Sequence, residues 1–190
     1  MKYMVGVDEV GRGALAGPVV VGAVFVPLNF KYKFKGLLRD SKKLSLKQRE
    51  EWFSFIKEKK IRYAISFVSP KIVDRLNVTG AVNLGALRVV KKINSKVFDK
   101  YRLVVDKGIK IKGFEFESYI KADENFPAVS LASIVAKVYR DRYMRRVSRV
   151  FRKYGFESHV GYGTKKHIEV IVKYGALDIH RKSFIEKFLF

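Results

Sequence analysis

The chain has 190 residues, of which 48% are hydrophobic and none is cysteine. That length and hydrophobic content suit one domain with a sizeable core, and the absence of cysteine excludes disulfides, thiol catalysis and thiolate metal sites. Forty Lys and Arg residues against 18 Asp and Glu give a net charge of +22. This imbalance favours a nucleic-acid partner over a merely solvated, lysine-rich surface of the thermophile type, which carries Glu alongside Lys. No secretion signal or apolar membrane span is evident, so we expect a cytoplasmic protein.

Strand-like and helix-like patterns alternate along the chain with no internal repeat, low-complexity tract or linker. In the first half, strands are predicted at Tyr3–Asp8, Pro18–Val26 and Ile61–Val68. Helices are predicted at Ser45–Lys60 and Ala81–Ile93, with a short helical segment at Pro70–Leu76 and a basic aromatic loop at Lys31–Arg39. The second half predicts two short strands and two helices: Arg102–Val105, Ser118–Ile120, Pro127–Tyr154 and Thr164–Tyr174. This order predicts a single α/β domain over residues 1–190, with a mixed, partly antiparallel sheet flanked by helices.

The long helix that begins at Pro127 combines an apolar stripe with a basic face. Apolar side chains recur at steps of three and four residues from Ala132 to Tyr154. The opposite, solvent-exposed face is predicted to carry a row of cations: Lys137, Arg140, Arg145, Arg146, Arg149 and Arg152. The earlier helix is predicted to begin with a capping box formed by Ser45 and Gln48.

Three acidic positions lie where solvated acids are not expected. Asp8 and Glu9 end the first strand, Asp106 ends the fourth, and Asp123 follows the fifth. A carboxylate beside apolar strands is costly unless it is paired or binds a metal. Because strand ends of one sheet lie close together, we expect these acids to converge on one site. A hard divalent cation such as Mg²⁺ would relieve their mutual repulsion.

In a chain that attracts phosphate backbones, such a site predicts two-metal phosphodiester hydrolysis. The alternative is that each Asp caps a helix or a turn, which fits Asp106 or Asp123 alone better than it fits the three positions together. Asp8 and Glu9 are neighbours, and successive strand side chains point to opposite faces. Both reach one site only if the strand bends or ends there; otherwise Asp8 is the principal ligand and Glu9 contributes from the rim.

Several uncommon sequence motifs occur one after another along the chain. They are Val7-Asp8-Glu9-Val10-Gly11-Arg12-Gly13 with Ala16-Gly17-Pro18-Val19, Asp40-Ser41-Lys42-Lys43-Leu44-Ser45, Ala132-Ser133-Ile134-Val135-Ala136-Lys137-Val138 with Arg140-Asp141, and, near the C-terminus, His159, Gly161-Tyr162-Gly163-Thr164, His167, His180-Arg181 and Ser183-Phe184. Together these strings closely resemble ribonuclease HII, from near residue 5 to near residue 184.

The resemblance implies a ribonuclease H-like fold: a five-stranded mixed sheet flanked by helices, with a helical C-terminal region that binds substrate from about residue 155. It implies divalent-metal cleavage of RNA–DNA hybrids and of DNA containing ribonucleotides, on the 5′ side of the ribonucleotide, leaving 3′-hydroxyl and 5′-phosphate ends. The expected cofactor is Mg²⁺ or Mn²⁺, with two ions in the reactive complex. The family's catalytic, metal-binding carboxylates match Asp8, Glu9, Asp106 and Asp123.

The resemblance also implies nucleic-acid contacts. The family's glycine-arginine-glycine loop matches Gly11 to Gly13, which in isolation would be read as an ordinary tight turn. The family's ribose-sensing tyrosine matches Tyr162, whose hydroxyl would bind the 2′-OH while its ring lies against the next deoxyribose. Arg12 and Lys42 resemble phosphate contacts, and Asn77 resembles a polar contact from the central helices. A solvated Lys or a turn-forming Asn fits these positions nearly as well.

The histidines of the chain match family positions too: His159, His167 and His180. Structural hydrogen bonding is preferred over metal ligation for each, because the oxygen-rich site suits Mg²⁺ or Mn²⁺. The sequence departs from the family at Lys107, where glycine usually follows the aspartate directly, and at Val160, where lysine is common. The first departure could shift Asp106, and the second removes a phosphate contact near Tyr162.

Two alternatives stay open at this point. A ribonuclease HIII-like enzyme shares the fold, but that family usually carries an extra N-terminal domain, for which this chain has no room, and has Glu where Asp123 stands. The other alternative is a basic nucleic-acid-binding protein without catalysis. The expected partners are RNA–DNA hybrid and DNA containing ribonucleotides. We expect no membrane association and a monomer, and the sequence identifies no protein partner.

Overall fold

The computed structural model describes residues 1–31, 44–94 and 100–189. Its strands are Tyr3–Val10 (β1), Val19–Pro27 (β2), Arg62–Val68 (β3), Tyr101–Asp106 (β4) and Glu117–Tyr119 (β5). They form a five-stranded sheet in the order β3-β2-β1-β4-β5. β2 is antiparallel to both β1 and β3, whereas β4 is parallel to both β1 and β5. The predicted five-stranded mixed sheet is therefore confirmed.

Helices cover both faces of the sheet and build the C-terminal region. They are Leu46–Glu58 (α1), Pro70–Asn94 (α2), Ala122–Asn125 (α3), Pro127–Val150 (α4), Phe156–His159 (α5), Lys165–Tyr174 (α6) and Lys182–Ile185 (α7), with short 3-10 helices at Arg152–Tyr154 and Glu186–Phe188. The predicted flanking helices and helical C-terminal region are confirmed. Within the described ranges, no helix has the length and apolar character needed to cross a membrane.

The central strand β1 is buried on both faces because it lies between two hydrophobic layers. Successive strand side chains point to opposite faces of the sheet. Val5 and Val7 pack into the layer that contains α2, whereas Met4 and its neighbour Val26 on β2 pack into the layer that contains α4. The last residues of β1 are therefore held in place from both sides.

Some predicted elements differ from the structure in their bounds. The segments Pro70–Leu76 and Ala81–Ile93, predicted separately, are indeed separated by a non-helical residue, Asn77, where φ is 55°; the structure adds that helical residues extend closer to this kink, so that α2 spans Pro70–Asn94. The long helix α4 ends at Val150 rather than at Tyr154, which lies in the following 3-10 helix. The predicted loop at residues 31–39 lies outside the described residues except for its first residue.

The prediction that Arg140 lies on the exposed face of the long helix is wrong. Its side chain is fully buried, and its guanidinium donates to the carbonyl groups of Ala16 and Pro18, each at 3.0 Å. Position 140 is four residues from both Ala136 and Met144, which are buried, so helical periodicity places it on the buried stripe. A charged side chain at this position suggests exposure to solvent, and this is why the prediction placed Arg140 among the exposed cations.

Gly6 allows β1 to lie directly against α4. A Cβ atom at this position would lie 2.2 Å from the backbone carbon of Ala128. We therefore expect Gly6→Ala to lower the free energy of unfolding by about 1–3 kcal/mol, because the strand or the helix must shift. Denaturant unfolding measures the change. Gly13→Ala is the control, since a Cβ there meets nothing within 4 Å, and equal stability of the two variants would contradict this close packing.

Candidate active site

A cleft of about 860 Å³ opens where β1 and β4 end. Its walls contain every predicted carboxylate, the glycine-arginine-glycine turn and the predicted ribose-reading tyrosine: Asp8, Glu9, Asp106, Asp123, Gly11, Arg12, Gly13 and Tyr162. Strand pairing explains part of this convergence, because β1 and β4 run parallel with Val7 beside Val105. Asp8 and Asp106 are the next residues along these two adjacent strands, so they reach the same edge of the sheet.

Asp8 is the most buried of the predicted carboxylates, with 6% of its surface exposed. It accepts a hydrogen bond from the Ser133 hydroxyl on α4, and its Oδ1 accepts one from the Glu9 amide at 2.8 Å. Burial, and after it the negative charge of Glu9, raises the pKa of Asp8 well above its usual value. A cation nearby would stabilise the ionised form of this carboxyl group.

Glu9 lines the same cleft as Asp8, so the carboxyl groups of these two neighbouring residues both reach the candidate site. The strand ends one residue later, at Val10, which agrees with the expectation that β1 must bend or end near this pair. Oε1 of Glu9 accepts a hydrogen bond from Arg12 at 3.2 Å, whereas its buried Oε2 has no hydrogen-bond partner among the described residues. Burial raises the pKa of Glu9, and the charge of Arg12 opposes that shift.

Asp106, the third predicted carboxylate, is hydrogen-bonded to the backbone of the segment that carries the fourth, Asp123. Its Oδ1 accepts a hydrogen bond from the amide of Ala122 at 3.0 Å, and Ala122 begins α3, the short helix that carries Asp123. Asp123 therefore lies in the first turn of a helix, and its carbonyl group accepts a hydrogen bond from Ser130 of α4. Lys107 is exposed on the rim, so its insertion after Asp106 does not remove the third carboxylate from the cleft.

The donor atoms of this cleft suit a hard divalent cation. Within residues 1–31, 44–94 and 100–189, no three Asp, Glu or His side chains are arranged to hold an ion as they stand. The unpartnered Oε2 of Glu9 and the charge repulsion that contributes to the raised pKa of Asp8 still fit cation binding, because a cation would relieve both. Carboxylate oxygens are the ligands that Mg²⁺ and Mn²⁺ prefer.

Residues 11–18 connect β1 to β2 and are called the glycine turn below. This turn is fixed by a second buried arginine. Arg181 donates to the carbonyl group of Arg12 at 2.8 Å and to that of Gly17 at 3.0 and 3.2 Å. Its side chain is fully buried, as that of Arg140 is, and burial lowers the pKa of Arg181 to about 10. The sequence strings included both arginines, but no local signal showed that they bind backbone carbonyl groups.

The other predicted nucleic-acid contacts lie at different distances from the carboxylates. Arg12 contacts Glu9 and also donates to the Thr79 hydroxyl on α2 at 3.4 Å. Asn77 lies at the interruption of α2 and does not line the cleft; its side-chain oxygen accepts a hydrogen bond from the Gly80 amide at 3.0 Å. Lys42 lies outside the described residues. The structure therefore places Arg12, but not Asn77, against the carboxylates.

Tyr162 lies half-buried at the wall of the cleft, with two cations near its ring. The Arg140 guanidinium lies 5.2 Å and the Lys137 ammonium 5.9 Å from the ring centre. An isolated backbone bridge joins Tyr162 to Ala14 in the glycine turn. Lys137 was predicted to be solvated but lines the cleft and forms an ion pair with Asp141 at 2.7 Å. Its place in the cleft could not be recognised from helical periodicity alone.

The histidines lie away from this cleft and are buried, with 7%, 0% and 2% of their surfaces exposed for His159, His167 and His180. Each ring makes hydrogen bonds within the C-terminal region. The prediction of structural hydrogen bonding is therefore confirmed. Burial lowers the pKa of all three, that of His167 to about 4.

These pKa shifts predict a loss of stability in acid. The folded protein holds its histidines neutral while the unfolded chain takes up protons below about pH 6.5, so the stabilisation is complete above that pH. It should decrease as the pH falls below about 6.5, by up to about 1.4 kcal/mol per pH unit for each histidine that stays neutral in the fold, and for His167 this range extends down to about pH 4. Denaturant unfolding at several pH values between 7.5 and 4.5 measures this slope.

Asp8 and Glu9 act in the opposite direction, because carboxyl groups with a raised pKa stabilise the fold as the pH falls. The unfolding series is therefore run in the double variant Asp8→Asn, Glu9→Gln. A free energy of unfolding that stays constant from pH 6.5 to pH 5 in this variant would contradict burial of neutral histidines.

The sheet order, the helices on both faces and the carboxylate-lined cleft define a nuclease of the ribonuclease H-like class. A family model described as Ribonuclease HII matches residues 5–187. The chain belongs to the ribonuclease HII family. Ribonuclease HII of Clostridium beijerinckii is 44% identical over 191 residues, which cover 99% of this chain and 69% of that relative. Ribonuclease HII of Bacillus cytotoxicus is 41% identical over 184 residues, covering 97% and 69%.

Solved structures agree with this assignment. Ribonuclease H2 of Pyrococcus horikoshii matches with a TM-score of 0.72 at 26% identity, covering 98% of this chain and 97% of that one. RNase HII of Archaeoglobus fulgidus, solved in complex with PCNA, matches with a TM-score of 0.77 at 26% identity, covering 94% and 93%. Bst-RNase HIII, solved with Mn²⁺, shares the fold at 20% identity and a TM-score of 0.73, covering 98% and 69%. The chain is thus a ribonuclease H, a divalent-metal-dependent endonuclease, and the predicted fold and enzyme class are confirmed.

Proposed function

We propose that this enzyme hydrolyses the RNA strand of RNA–DNA hybrids and cuts on the 5′ side of ribonucleotides embedded in duplex DNA, leaving 3′-hydroxyl and 5′-phosphate ends. One observation carries the proposal: a single cleft contains four carboxylates beside the turn of residues 11–13 and Tyr162. The carboxylates suit phosphodiester hydrolysis, and the turn and the tyrosine offer groups that recognise a ribose. The net charge of +22 favours a substrate with a phosphate backbone.

The carboxylates would together hold two Mg²⁺ or Mn²⁺ ions: Asp8, Glu9, Asp106 and Asp123. When bound, such ions lower the pKa of the attacking water and stabilise charge on the leaving oxygen. Asp8 is the best-fixed ligand, because burial and the Ser133 hydrogen bond hold its carboxylate. Glu9 offers its unpartnered Oε2, and Arg12 orients the same carboxylate through Oε1.

The turn of residues 11–13 and Tyr162 would read the ribose. Gly11 has a φ of 92°, and a Cβ there would lie 2.3 Å from Nε of the buried Arg140, so only glycine suits this position. Backbone amides of such a turn can bind a 2′-hydroxyl or a phosphate oxygen. A hydrogen bond from the Tyr162 hydroxyl to the 2′-OH, with the ring against the next deoxyribose, would select an RNA–DNA junction.

The helical segment from about residue 155 would bind the flanking duplex. It carries Tyr162 and the exposed cations Lys165, Lys166 and Lys173, which suit contacts to phosphates. Backbone bridges of Tyr162 with Ala14 and of His180 with Ala16 join this segment to the glycine turn. The cleft is formed by residues of a single chain, which is compatible with action as a monomer.

The sequence alone is compatible with two other functions. The family match favours ribonuclease HII over a ribonuclease HIII-like enzyme, and Asp123 stands where the latter has Glu. Membership in an enzyme family, and the presence of four carboxylates in one cleft, weigh against a binding protein without catalysis.

The test is a duplex that carries a single ribonucleotide, incubated with the protein and Mg²⁺, Mn²⁺ or a chelator. We expect a nick on the 5′ side of the ribonucleotide that requires the metal, with 3′-hydroxyl and 5′-phosphate ends on the mapped products. An all-DNA duplex of the same sequence is the control. Tight binding without a nick, or cleavage on the 3′ side, would overturn the proposed function.

A further inference from the structure

The three histidines of this chain form one buried cluster beneath the turn that presents Tyr162. The rings of His159 and His167 stack with 4.2 Å between their centres, and those of His167 and His180 lie 5.3 Å apart. Because the cluster does not line the carboxylate cleft, metal binding and catalysis do not explain it. Its hydrogen bonds instead reach the backbone on either side of Tyr162.

His159 holds the amide that precedes Tyr162. Its Nε2 lies 2.9 Å from the carbonyl oxygen of Tyr154, and its Nδ1 lies 3.2 Å from the amide nitrogen of Gly161. A carbonyl oxygen only accepts a hydrogen bond and an amide only donates one. His159 must therefore carry its proton on Nε2, leaving Nδ1 free to accept from Gly161.

His167 holds the carbonyl group of Tyr162 and has the opposite tautomer. Its Nδ1 lies 2.9 Å from that carbonyl oxygen, so Nδ1 carries the proton. In the neutral ring Nε2 is then an acceptor, and it lies 3.2 Å from Nε2 of His180. His180 must donate from Nε2, so in the neutral ring its Nδ1 accepts from the Leu177 amide at 2.8 Å rather than donating to the Leu177 carbonyl oxygen, which lies farther away at 3.2 Å.

Only neutral rings of His159 and His167 satisfy their contacts, and a neutral ring of His180 keeps the shorter of its two contacts to Leu177. A proton added to Nδ1 of His159 would face the amide hydrogen of Gly161, and one added to Nε2 of His167 would face the hydrogen of His180. Among the described residues, the charged groups that act on these rings are Glu157 and Lys166, both at His159 and of opposite sign. Burial and the hydrogen-bond pattern therefore act together to keep the rings neutral.

The turn that presents Tyr162 is also held from its opposite side, by hydrogen bonds to the glycine turn. The carbonyl group of Gly161 accepts hydrogen bonds from the amides of Leu15 at 2.8 Å and Ala16 at 3.1 Å. Gly161 has a φ of 88°, and a Cβ there would lie 2.4 Å from the carbonyl oxygen of Ala16. The backbone before Tyr162 therefore has little room to move between the two turns.

We propose that the histidines are positioning residues for Tyr162, whose place in the cleft is set by an ordered series of neutral tautomers, Nε2–H in His159, Nδ1–H in His167 and Nε2–H in His180. The functional part of this inference rests on the proposed role of Tyr162 in reading ribose. The cluster holds the backbone on both sides of the tyrosine, so a wrong tautomer or a lost ring would let the phenol move relative to the carboxylates.

Nuclear magnetic resonance of protein with ¹⁵N-labelled imidazoles tests the tautomers in the intact, wild-type chain at pH 7.5. Single His→Gln variants assign the three signals. We expect His167 to carry its proton on Nδ1 while the other two carry theirs on Nε2. A proton on Nε2 of His167, or rings that exchange between tautomers as free histidine does, would overturn the proposal.

A double-mutant cycle tests the link to Tyr162. We expect His167→Leu to slow cutting at a single ribonucleotide by about 10-fold or more, and His167→Asn, whose amide can still donate to the Tyr162 carbonyl group, to lose clearly less. In a Tyr162→Ala background, His167→Leu should cause less than about a 2-fold further loss, because its effect acts through the tyrosine. An equal loss in both backgrounds would overturn the proposal. Leu28→Ala, at an exposed position just after β2 that does not line the cleft, is the control and should cut like the wild type.

The two measurements separate this inference from the proposed function. A protein that cuts no ribonucleotide-containing substrate refutes the proposed function, while the imidazole spectra still decide whether the cluster is ordered as proposed. A protein that cuts normally but shows a different tautomer pattern refutes only the positioning role. If His167→Leu does not fold, the milder His167→Asn takes its place in the double-mutant cycle, and an equal loss in both tyrosine backgrounds would again overturn the proposal.

Discussion

Replacing Asp8 with Asn is expected to slow cutting of a ribonucleotide-containing duplex by about 1000-fold or more. The amide keeps the volume of the side chain and can still accept the Ser133 hydrogen bond, but it lacks the negative charge that a divalent ion requires. Loss of that charge also removes repulsion with Glu9, so the fold should not be destabilised. Single-turnover cutting with saturating Mn²⁺ measures the effect.

The variant should keep most of its affinity for the duplex, because non-specific binding depends on the many cations of the surface. Binding measured at several salt concentrations checks that the loss is catalytic. Asp178→Asn is the matched control, since this residue is exposed and does not line the cleft. An Asp8→Asn variant that cuts within 10-fold of the wild type would refute the assigned role.

Tyr162→Ala is expected to lower cutting at a single embedded ribonucleotide on the order of 100-fold, because the ring contact and the hydroxyl contact are both lost. Cutting within a long RNA–DNA hybrid should fall less, since no deoxyribose follows the ribonucleotide there. Binding of duplex DNA without ribonucleotides should be almost unchanged. The ratio of the two cutting rates, measured on substrates of equal length, reports the selectivity.

Tyr162→Phe separates the two contacts, because it removes the hydroxyl and keeps the ring. We expect it to show an intermediate loss at the single ribonucleotide. Tyr3→Ala, at the start of β1 and away from the cleft, is the control and should behave like the wild type. Equal losses on both substrates in Tyr162→Ala would show that the tyrosine supports the fold rather than reading ribose.

The sheet and the position of its acids could be predicted because they depend on local patterns. The run from Val19 to Val26 is almost entirely apolar, which is typical of a strand buried on both faces. Asp8 and Asp106 each stand at the end of such a run, so their convergence follows from strand pairing. The proposed roles of Tyr162 and the glycine turn came from family resemblance, since neither has a local pattern that identifies it.

The support beneath the cleft could not be predicted because it depends on contacts between distant segments. Arg140 binds carbonyl groups 122 and 124 residues earlier in the chain, and periodicity alone does not reveal such partners. The sequence predicted two helical segments around Asn77, but not that the break between them is a single residue with a positive φ. The histidine cluster was identified only as three hydrogen-bonding residues, because its tautomers follow from the positions of backbone groups.

A crystal soaked in Mn²⁺ and measured for anomalous scattering tests directly whether the carboxylates form the metal site. We expect metal peaks in the cleft, with the ions bound by oxygen atoms of Asp8, Glu9, Asp106 and Asp123. No metal peak in the cleft, or Mn²⁺ bound at the histidines instead, would contradict the site.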